Sequence, residues 1–231
     1  MPEDIFNEMN FSEAKEFQEI DEVREADECA ISYSECGFNM FGGYVPGRVT
    51  EVSEGGKEVN ESVKELSEEI DSWIHQSETR SCAVACQTMI QNQTSETDKT
   101  EKELIDRGHE LNVYNNGTAP ANEGAILRSY GYDVERTETA SREELVEAAN
   151  EGGTKVILHI DSIRTVYPHL PGEITPDHAV QLLHVESTPD GEMAVINDPD
   201  QENGAGLVYP MEILMKAWNG DKTTVKKGEA V

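Results

Sequence analysis

Residues 177–200, DHAVQLLHVESTPDGEMAVINDPD, predict two antiparallel strands joined by a tight turn. Apolar and β-branched residues dominate HAVQLLHV (178–185) and EMAVIND (192–198), as is typical of buried strands. TPDG (188–191) between them is a turn sequence, because proline and glycine supply the backbone angles that a reversal needs. The stretch therefore predicts a β-hairpin in the interior of a sheet.

The register of this hairpin predicts which residues meet at its open end. With Thr188 and Gly191 flanking the turn, Gln201 lies opposite His178, and Asp198 is a few residues away. A β-bulge, which is common beside active sites, would bring Asp198 closer to His178. The alternative is an ordinary aspartate that ends a strand and caps a turn.

Upstream of the hairpin the sequence predicts mainly helices. The helices are CAVACQTMIQNQ (82–93), TEKELIDRGHEL (100–111), PANEGAILRSYG (120–131) and SREELVEAANEGG (141–153), and further strands are KVILHID (155–161) and GLVYP (206–210). Ser141 with Glu144 has capping-box spacing. Helices first and antiparallel strands afterwards indicate an α+β domain.

The first 72 residues carry 20 acidic and 5 basic side chains. Helices are predicted at 11–30 and 57–74, separated by a glycine-rich stretch. We expect an acidic helical N-terminal extension over 1–56, a domain over 57–222 and a C-terminal tail over 223–231. The extension is either a pro-segment or an arm that binds a partner or the domain itself.

The 231-residue chain has a formal net charge of −29, which argues against nucleic acid or anionic membranes as partners. An acidic surplus of this size suits a salt-rich interior, where screening reduces self-repulsion. No apolar run approaches the roughly 18 residues of a membrane span, and no secretory signal starts the chain. Four cysteines are too few for a disulfide scaffold, so we expect a cytoplasmic protein with free thiols.

HQSETRSCAVACQTMI (75–90) places two cysteines near the start of an apolar helix. Cys82 lies at the predicted N-terminus, where the helix dipole and free N–H groups favour a reactive thiolate. Cys86 lies one turn deeper and is best explained by packing. Taken alone, Cys82 is equally compatible with a small buried residue.

Acyl transfer also requires a base, a group that orients the base, and donors for the oxyanion. Gln76, six residues before Cys82, is placed to supply a side-chain donor. His178 at the mouth of a strand is the candidate base, and Asp198 is the candidate orienting carboxylate.

The other histidines and the metal-ligand spacings give weaker signals. His159 and His184 lie within apolar strands, where histidines usually have a structural role, and His169 lies in a proline-containing loop. No paired ligand motif accompanies Cys82 and Cys86, so we expect neither a metal nor a cofactor.

Taken in order, these segments resemble the C39-like peptidases, which are papain-like cysteine peptidases that remove leader peptides after a double glycine. The resemblance spans residues 73–220 and rests on Gln-x5-Cys at 76–82 and on the segments 141–161, 177–185, 195–200 and 210–218. It implies a papain-like fold with helices packed on an antiparallel sheet. It also implies that Cys82 is the nucleophile, His178 the general base and acid, Asp198 its orienting partner and Gln76 the oxyanion donor. The implied function is cleavage of a protein or peptide substrate through a thioester, with Gly-Gly specificity.

The sequence departs from the family at Ala83, where the family usually has glycine. This departure leaves open a catalytically inactive papain-like binding module, and the same triad would also serve a deamidase or a transglutaminase. The glycine pairs that end at Gly43 and Gly56 are candidate processing sites, with turn formation as the simpler interpretation.

Overall fold

The predicted hairpin lies inside a long antiparallel sheet. The structure is a computed structural model that describes residues 30–34, 36–39, 43–53, 61–189 and 191–228. The strands are β1 (Ala30–Tyr33), β2 (Gly37–Phe38), β3 (Tyr44–Val45), β4 (Gly47–Ser53), β5 (Asp133–Thr137), β6 (Thr154–Ile160), β7 (His178–Thr188), β8 (Gly191–Asn197), β9 (Leu207–Pro210) and β10 (Trp218–Lys226). Within the described residues, eight of them form one sheet in the order β1-β4-β9-β8-β7-β6-β10-β5, and β2 pairs with β3.

Helices cover both faces of this sheet. They are α1 (Glu61–Asp71), α2 (Cys82–Thr94), α3 (Glu101–Glu110), α4 (Ala125–Ser129), α5 (Arg142–Asn150), α6 (Ser162–Val166) and α7 (Met211–Ala217), with a short 3-10 helix at Pro120–Asn122. The predicted capping box at Ser141 is formed, and α3 begins with a second one at Thr100. The predicted α+β class is therefore confirmed.

Two apolar layers hold the helices to the sheet. On one face α2 packs through Cys86, Met89 and Ile90 against Ile157 and Ala179 of the central strands. On the other face α5 and α7 pack against a larger cluster that includes Leu158, Val180, Leu182, Ile196 and Trp218. Burial of this apolar area stabilises the fold and fixes α2 above the end of the sheet at which β7 begins.

The helix α1 is joined to the sheet by charge as well as by apolar contact. Lys155 of β6 is buried and forms ion pairs with Glu65 and Glu69 of α1. Leu66 packs against Leu183 and Val208 on the same face. The predicted helix over 57–74 thus docks on the sheet and leads directly into the segment before α2.

The hairpin contains the bulge that would shorten the distance to Asp198. Thr188 pairs with Gly191, as expected from the turn, but the register shifts by one residue between Leu182 and His184. The extra residue in β7 moves His178 one position closer to Asp198 along the partner strand.

The described residues between 30 and 53 form strands and not the expected helical extension. β4 pairs with β9 through Gly47 and Arg48, and β1 pairs with β4, so residues 30–53 add strands to the edge of the sheet. Glycines and polar residues hid these strands, whose stability depends on pairing with β9 rather than on local propensity. The helix predicted over 11–30 lies, apart from Ala30, outside the described residues.

The C-terminal segment also pairs with the sheet. β10 lies between β6 and β5 and continues to Lys226, into the region expected to be a tail from residue 223. Its pairing with β6 is interrupted between Trp218 and Lys222, which includes Gly220 at φ +96°. The interruption and the Thr- and Lys-rich composition obscured its strand character.

Gly43 has a packing role in the hairpin of β2 and β3. Its N–H donates to Asn39 Oδ1 at 3.0 Å, and a Cβ there would lie 3.2 Å from Val166 Cγ1. Gly43 and Tyr44 are both buried. These contacts favour the turn interpretation of Gly43, and Gly56 lies outside the described residues.

Across the described ranges, no helix combines the length and apolarity that a membrane crossing needs.

Candidate active site

Cys82 is the first residue of α2, as predicted. The preceding Ser81 is buried, and its carbonyl oxygen accepts hydrogen bonds from Val84 and Ala85, each at 2.8 Å. The first N–H groups of a helix have no intrahelical acceptor, and the positive end of the helix dipole lies beside them. The half-buried Cys82 thiol therefore lies beside the N-terminal N–H groups of α2.

His178 links a carboxylate to this thiol. Its Nε2 lies 2.7 Å from Asp198 Oδ1, and the side chain of Cys82 lies near enough to affect its pKa. Burial opposes protonation of His178, but the interactions with Asp198 and then Cys82 outweigh it and raise its pKa to about 10. The Asp198 carboxylate and the Cys82 side chain thus favour the protonated form of the His178 ring.

The loop after β8 holds Asp198 from several sides. Asp198 N donates to Gly204 O at 2.8 Å, and Trp73 Nε1 donates to Asp198 O at 2.7 Å. A Cβ on Gly204 would overlap the Asp198 carbonyl oxygen, so this position requires glycine. These backbone contacts therefore restrict the position from which the Asp198 side chain reaches His178.

Gln76 is buried and bound to the same loop. Its backbone N–H donates to Pro199 O at 2.8 Å, and its side-chain Nε2 donates to Asp200 Oδ1 at 2.6 Å. Within the described residues its Oε1 has no hydrogen-bond partner. The segment that precedes Cys82 is thus attached to the loop that carries Asp198.

The second cysteine of α2 has a different environment. Cys86 is fully buried, and its Sγ donates to Ala179 O at 3.6 Å. Burial raises the pKa of its thiol well above the ordinary value, and the charges of Cys82 and Glu123 act in the same direction. Cys86 is therefore a packing residue, as predicted.

Ala83 packs into the core. It is 3% exposed and belongs to the cluster that contains Cys86 and Ala179. Its methyl group therefore contributes to contact between α2 and the sheet.

A second histidine cluster lies one strand away. His159 Nε2 is 2.9 Å from Glu123 Oε1, and its Nδ1 is 3.7 Å from Asp221 Oδ2. Arg136 binds Asp221 through two hydrogen bonds, and Thr223 Oγ1 donates to Glu123 Oε2 at 2.7 Å. Burial lowers the pKa of His159, but Glu123 and then Asp221 outweigh burial and raise it. No pattern in the sequence predicts this cluster, because its carboxylates come from distant segments.

The other two candidate histidines have separate surroundings. Burial lowers the pKa of His184, and the ring of His169 stacks on Phe38 with centroids 6.1 Å apart. In the part of the chain that the structure describes, no group of three or more His, Cys, Asp or Glu side chains has the arrangement of a metal site.

The structure thus brings together the four residues selected from the sequence. His178 hydrogen-bonds to Asp198, the Cys82 side chain lies near enough to affect the pKa of His178, and Gln76 is tied to the Asp198 loop through Pro199 and Asp200. Sequence reasoning missed Trp73, Asp200 and Gly204. The second aspartate of Asp-Pro-Asp was a visible signal for Asp200, whereas Trp73 and Gly204 act through backbone contacts that the sequence does not show.

Comparisons with known proteins give similarity at the level of the fold. No protein-family model matches the chain, and no curated protein matches it. Similar solved structures include the peptidase domain of Streptococcus ComA, a bifunctional ABC transporter of a quorum-sensing pathway, which is 14% identical with a TM-score of 0.49. A double glycine motif protease from an AMS/PCAT transporter, solved with its leader peptide, is 22% identical with a TM-score of 0.49. The peptidase domain of Streptococcus mutans ComA is 15% identical with a TM-score of 0.40.

Each of these similarities covers 67% of this chain, and they cover 96%, 90% and 98% of the three structures in the order given. The structures are double-glycine or ComA-type peptidase domains, the class of domain that the sequence motifs resemble.

Proposed function

We propose that the chain is a cysteine peptidase in which Cys82 is the nucleophile, His178 the general base and acid, and Asp198 the residue that orients His178. The observation that carries the proposal is the 2.7 Å hydrogen bond between His178 and Asp198, with the Cys82 side chain near enough to affect the pKa of His178. The cysteine stands at a helix N-terminus, and the other buried thiol on the same helix has no such partner.

The reaction follows from this arrangement. The Cys82 thiol transfers its proton to His178 Nδ1, and the thiolate attacks the peptide carbonyl carbon. The imidazolium then donates its proton to the leaving amine, which departs and leaves a thioester on Cys82. A water molecule, deprotonated by His178, attacks the thioester and releases the carboxylic acid and the free thiol. The carboxylate of Asp198 stabilises the imidazolium and fixes the ring orientation.

The oxyanion of each tetrahedral intermediate needs donors that are already in place. We assign this role to the backbone N–H of Cys82, at the start of α2, and to one N–H of the Gln76 amide. Gln76 is buried and hydrogen-bonded at both its backbone and its side chain, so its position is restricted before substrate binds.

The proposed substrate is a protein or peptide, with two glycines before the scissile bond as the first specificity to test. This choice rests on the resemblance of the motifs to double-glycine peptidases. The net charge of −29 favours a neutral or basic peptide over an acidic one. Self-cleavage after Gly43 is not part of the proposal, because Gly43 and Tyr44 are buried in the folded chain.

The test uses iodoacetamide labelling of the full chain between pH 5 and 9, with the labelled cysteine located by peptide mass spectrometry. A thiolate held by an imidazolium reacts at pH values where an ordinary thiol is protonated. We expect Cys82 to be alkylated rapidly at pH 6 and Cys36, a half-buried thiol, to follow only at higher pH. Labelling at residue 82 should persist in Cys86→Ala.

A second measurement tests acyl transfer itself. A benzyloxycarbonyl-Gly-Gly 4-nitrophenyl ester should give a burst of nitrophenolate equal to the enzyme concentration, absent in Cys82→Ala and present in Cys86→Ala. Slow labelling of Cys82 at the rate of Cys36, together with no burst, would exclude the peptidase and leave the binding-module interpretation.

A further inference from the structure

Three hydrogen bonds join the segment before α2 to the loop after β8. Trp73 Nε1 donates to Asp198 O, Gln76 N donates to Pro199 O, and Gln76 Nε2 donates to Asp200 Oδ1. The loop closes on itself, because Asp200 N donates to Asp198 Oδ1 at 2.9 Å. The carboxylate of Asp198 therefore accepts hydrogen bonds from both His178 and the backbone N–H of Asp200. The side chain of Asp200 accepts a separate hydrogen bond from Gln76.

We propose that Asp200 is a positioning residue that fixes the orientation of the Gln76 amide for stabilising the oxyanion. The inference rests on the proposed peptidase function and adds a residue to which the triad assigns no role. Asp200 acts through Gln76 and does not touch the reacting atoms.

Asp200 fixes the orientation of the Gln76 amide because a carboxylate accepts hydrogen bonds, whereas only the NH₂ end of an amide donates them. An ionised carboxylate only accepts hydrogen bonds, so the side of the Gln76 amide that faces Asp200 must be its NH₂ group. One N–H is used in the 2.6 Å hydrogen bond, and the second N–H is available to an oxyanion. In the flipped orientation Gln76 Oε1 would face Asp200, and the two oxygens would repel each other. The carboxylate thus excludes the orientation that presents an acceptor where a donor is needed.

Asp200 can be altered without removing the support of His178. Its side chain is exposed, and its contact with Asp198 is made by the backbone N–H, which an alanine retains. The side-chain carboxylate of Asp200 can therefore be removed while the hydrogen bond from its backbone to Asp198 is kept. Glu202, an exposed carboxylate in the same loop, provides a control for the loss of one negative charge.

The experiment compares two reactions of the same thiol. Acylation by benzyloxycarbonyl-Gly-Gly 4-nitrophenyl ester passes through an oxyanion, whereas alkylation by iodoacetamide does not. We expect Asp200→Ala to lower the burst rate constant about 10- to 100-fold, since it weakens one oxyanion donor. Alkylation of Cys82 should stay at the wild-type rate. Asp200→Asn keeps an acceptor oxygen and should recover most of the lost burst rate, and Glu202→Ala should match the wild type.

A double variant tests whether Asp200 acts through Gln76. Gln76→Ala should lower the burst rate by about 10²- to 10³-fold, and adding Asp200→Ala should cause no further loss. Independent losses that multiply in the double variant would overturn the inference. So would a wild-type burst rate in Asp200→Ala, or an equal loss in alkylation, which would mean that the change disturbs His178.

A measurement that needs no activity separates this inference from the proposed function. In ¹⁵N-resolved NMR spectra, the side-chain NH₂ resonances of Gln76, identified by their loss in Gln76→Ala, should move on Asp200→Ala and stay in place on Glu202→Ala. If the wild type shows neither burst nor fast alkylation, the peptidase proposal fails while this arm still tests the contact. Unchanged Gln76 resonances in Asp200→Ala would overturn the role of Asp200 whatever the activity.

Discussion

Two buried histidines on neighbouring strands each lie beside a carboxylate but differ in their third partner. Ile160, next to His159 in β6, pairs with His178 at the start of β7. Each ring lies within 3 Å of a carboxylate, and in each case carboxylates outweigh burial and raise the pKa. The third group differs, because the Cys82 side chain acts on the pKa of His178 whereas His159 has a second carboxylate, Asp221, nearby.

The comparison shows that a buried histidine and carboxylate do not by themselves indicate catalysis. The His159 cluster includes Arg136, which pairs with Asp221, so its charges are balanced within the protein. Beside His178 and Asp198 lies the thiol of Cys82, the proposed nucleophile. A structural histidine should thus affect stability when altered, and the proposed catalytic histidine should affect rate.

The largest expected effect is on rate, in His178→Ala. Removing the base and acid from a triad lowers acyl transfer by about 10⁴-fold. The burst of nitrophenolate from the Gly-Gly ester measures this loss, and fast alkylation of Cys82 at pH 6 should disappear with it. Circular dichroism should show a folded protein. A burst rate within tenfold of the wild type would contradict the assignment of His178.

His159→Gln should instead reduce the free energy of unfolding, by about 3–5 kcal/mol, because it removes one partner of a buried ion pair and leaves Glu123 uncompensated. Denaturant unfolding measures the change. Alkylation of Cys82 in the folded protein should remain within a few-fold of the wild type. His169→Gln is the matched control, since His169 is exposed and should alter stability little.

If His159→Gln abolished fast alkylation of Cys82 while unfolding free energy stayed near the wild-type value, the two histidines would have to be assigned the opposite way.

The same comparison shows what the sequence could and could not reveal. The hairpin of β7 and β8, the start of α2 and the capping box at Ser141 were predictable, because each depends on residues close in the chain. The meeting of His178 with Asp198 followed from the hairpin register once a bulge was allowed. These local patterns were sufficient to select all four candidate residues.

The features that the sequence did not predict depend on contacts between residues far apart in the chain. The carboxylates beside His159 come from the loop before α4 and from an interrupted strand, and neither segment resembles a site. The hydrogen bond from Gln76 to Asp200 joins residues 124 positions apart. Strands β1 and β4 are short, flank a glycine-containing stretch and are stabilised by pairing at the sheet edge, which the sequence does not reveal.

Asp198→Asn should change the pH dependence of peptide cleavage. In the proposed mechanism the imidazolium of His178 protonates the leaving amine, so activity on an amide substrate should fall as the pH rises through its pKa of about 10. Removing the carboxylate lowers that pKa and moves the alkaline limit to lower pH. A fluorogenic Gly-Gly coumarin amide, assayed between pH 6 and 11, measures the limit.

His159→Gln is the control for this shift, because its carboxylates do not contact His178. Its alkaline limit should coincide with that of the wild type. A limit that moved in His159→Gln and stayed fixed in Asp198→Asn would break the proposed division between the two histidines.

The smallest expected effect concerns Ala83, the position that departs from the resembling family. Its methyl group is buried between α2 and the sheet, so it should not restrict access to the neighbouring thiol. Ala83→Gly should cost about 1 kcal/mol of unfolding free energy through greater backbone entropy, as should Ala85→Gly, the matched control on the same helix. The alkylation rate of Cys82 should be unchanged in both. A several-fold faster reaction in Ala83→Gly alone would mean that the methyl group obstructs the thiol, and that this chain has a narrower approach to its nucleophile than the packing of α2 indicates.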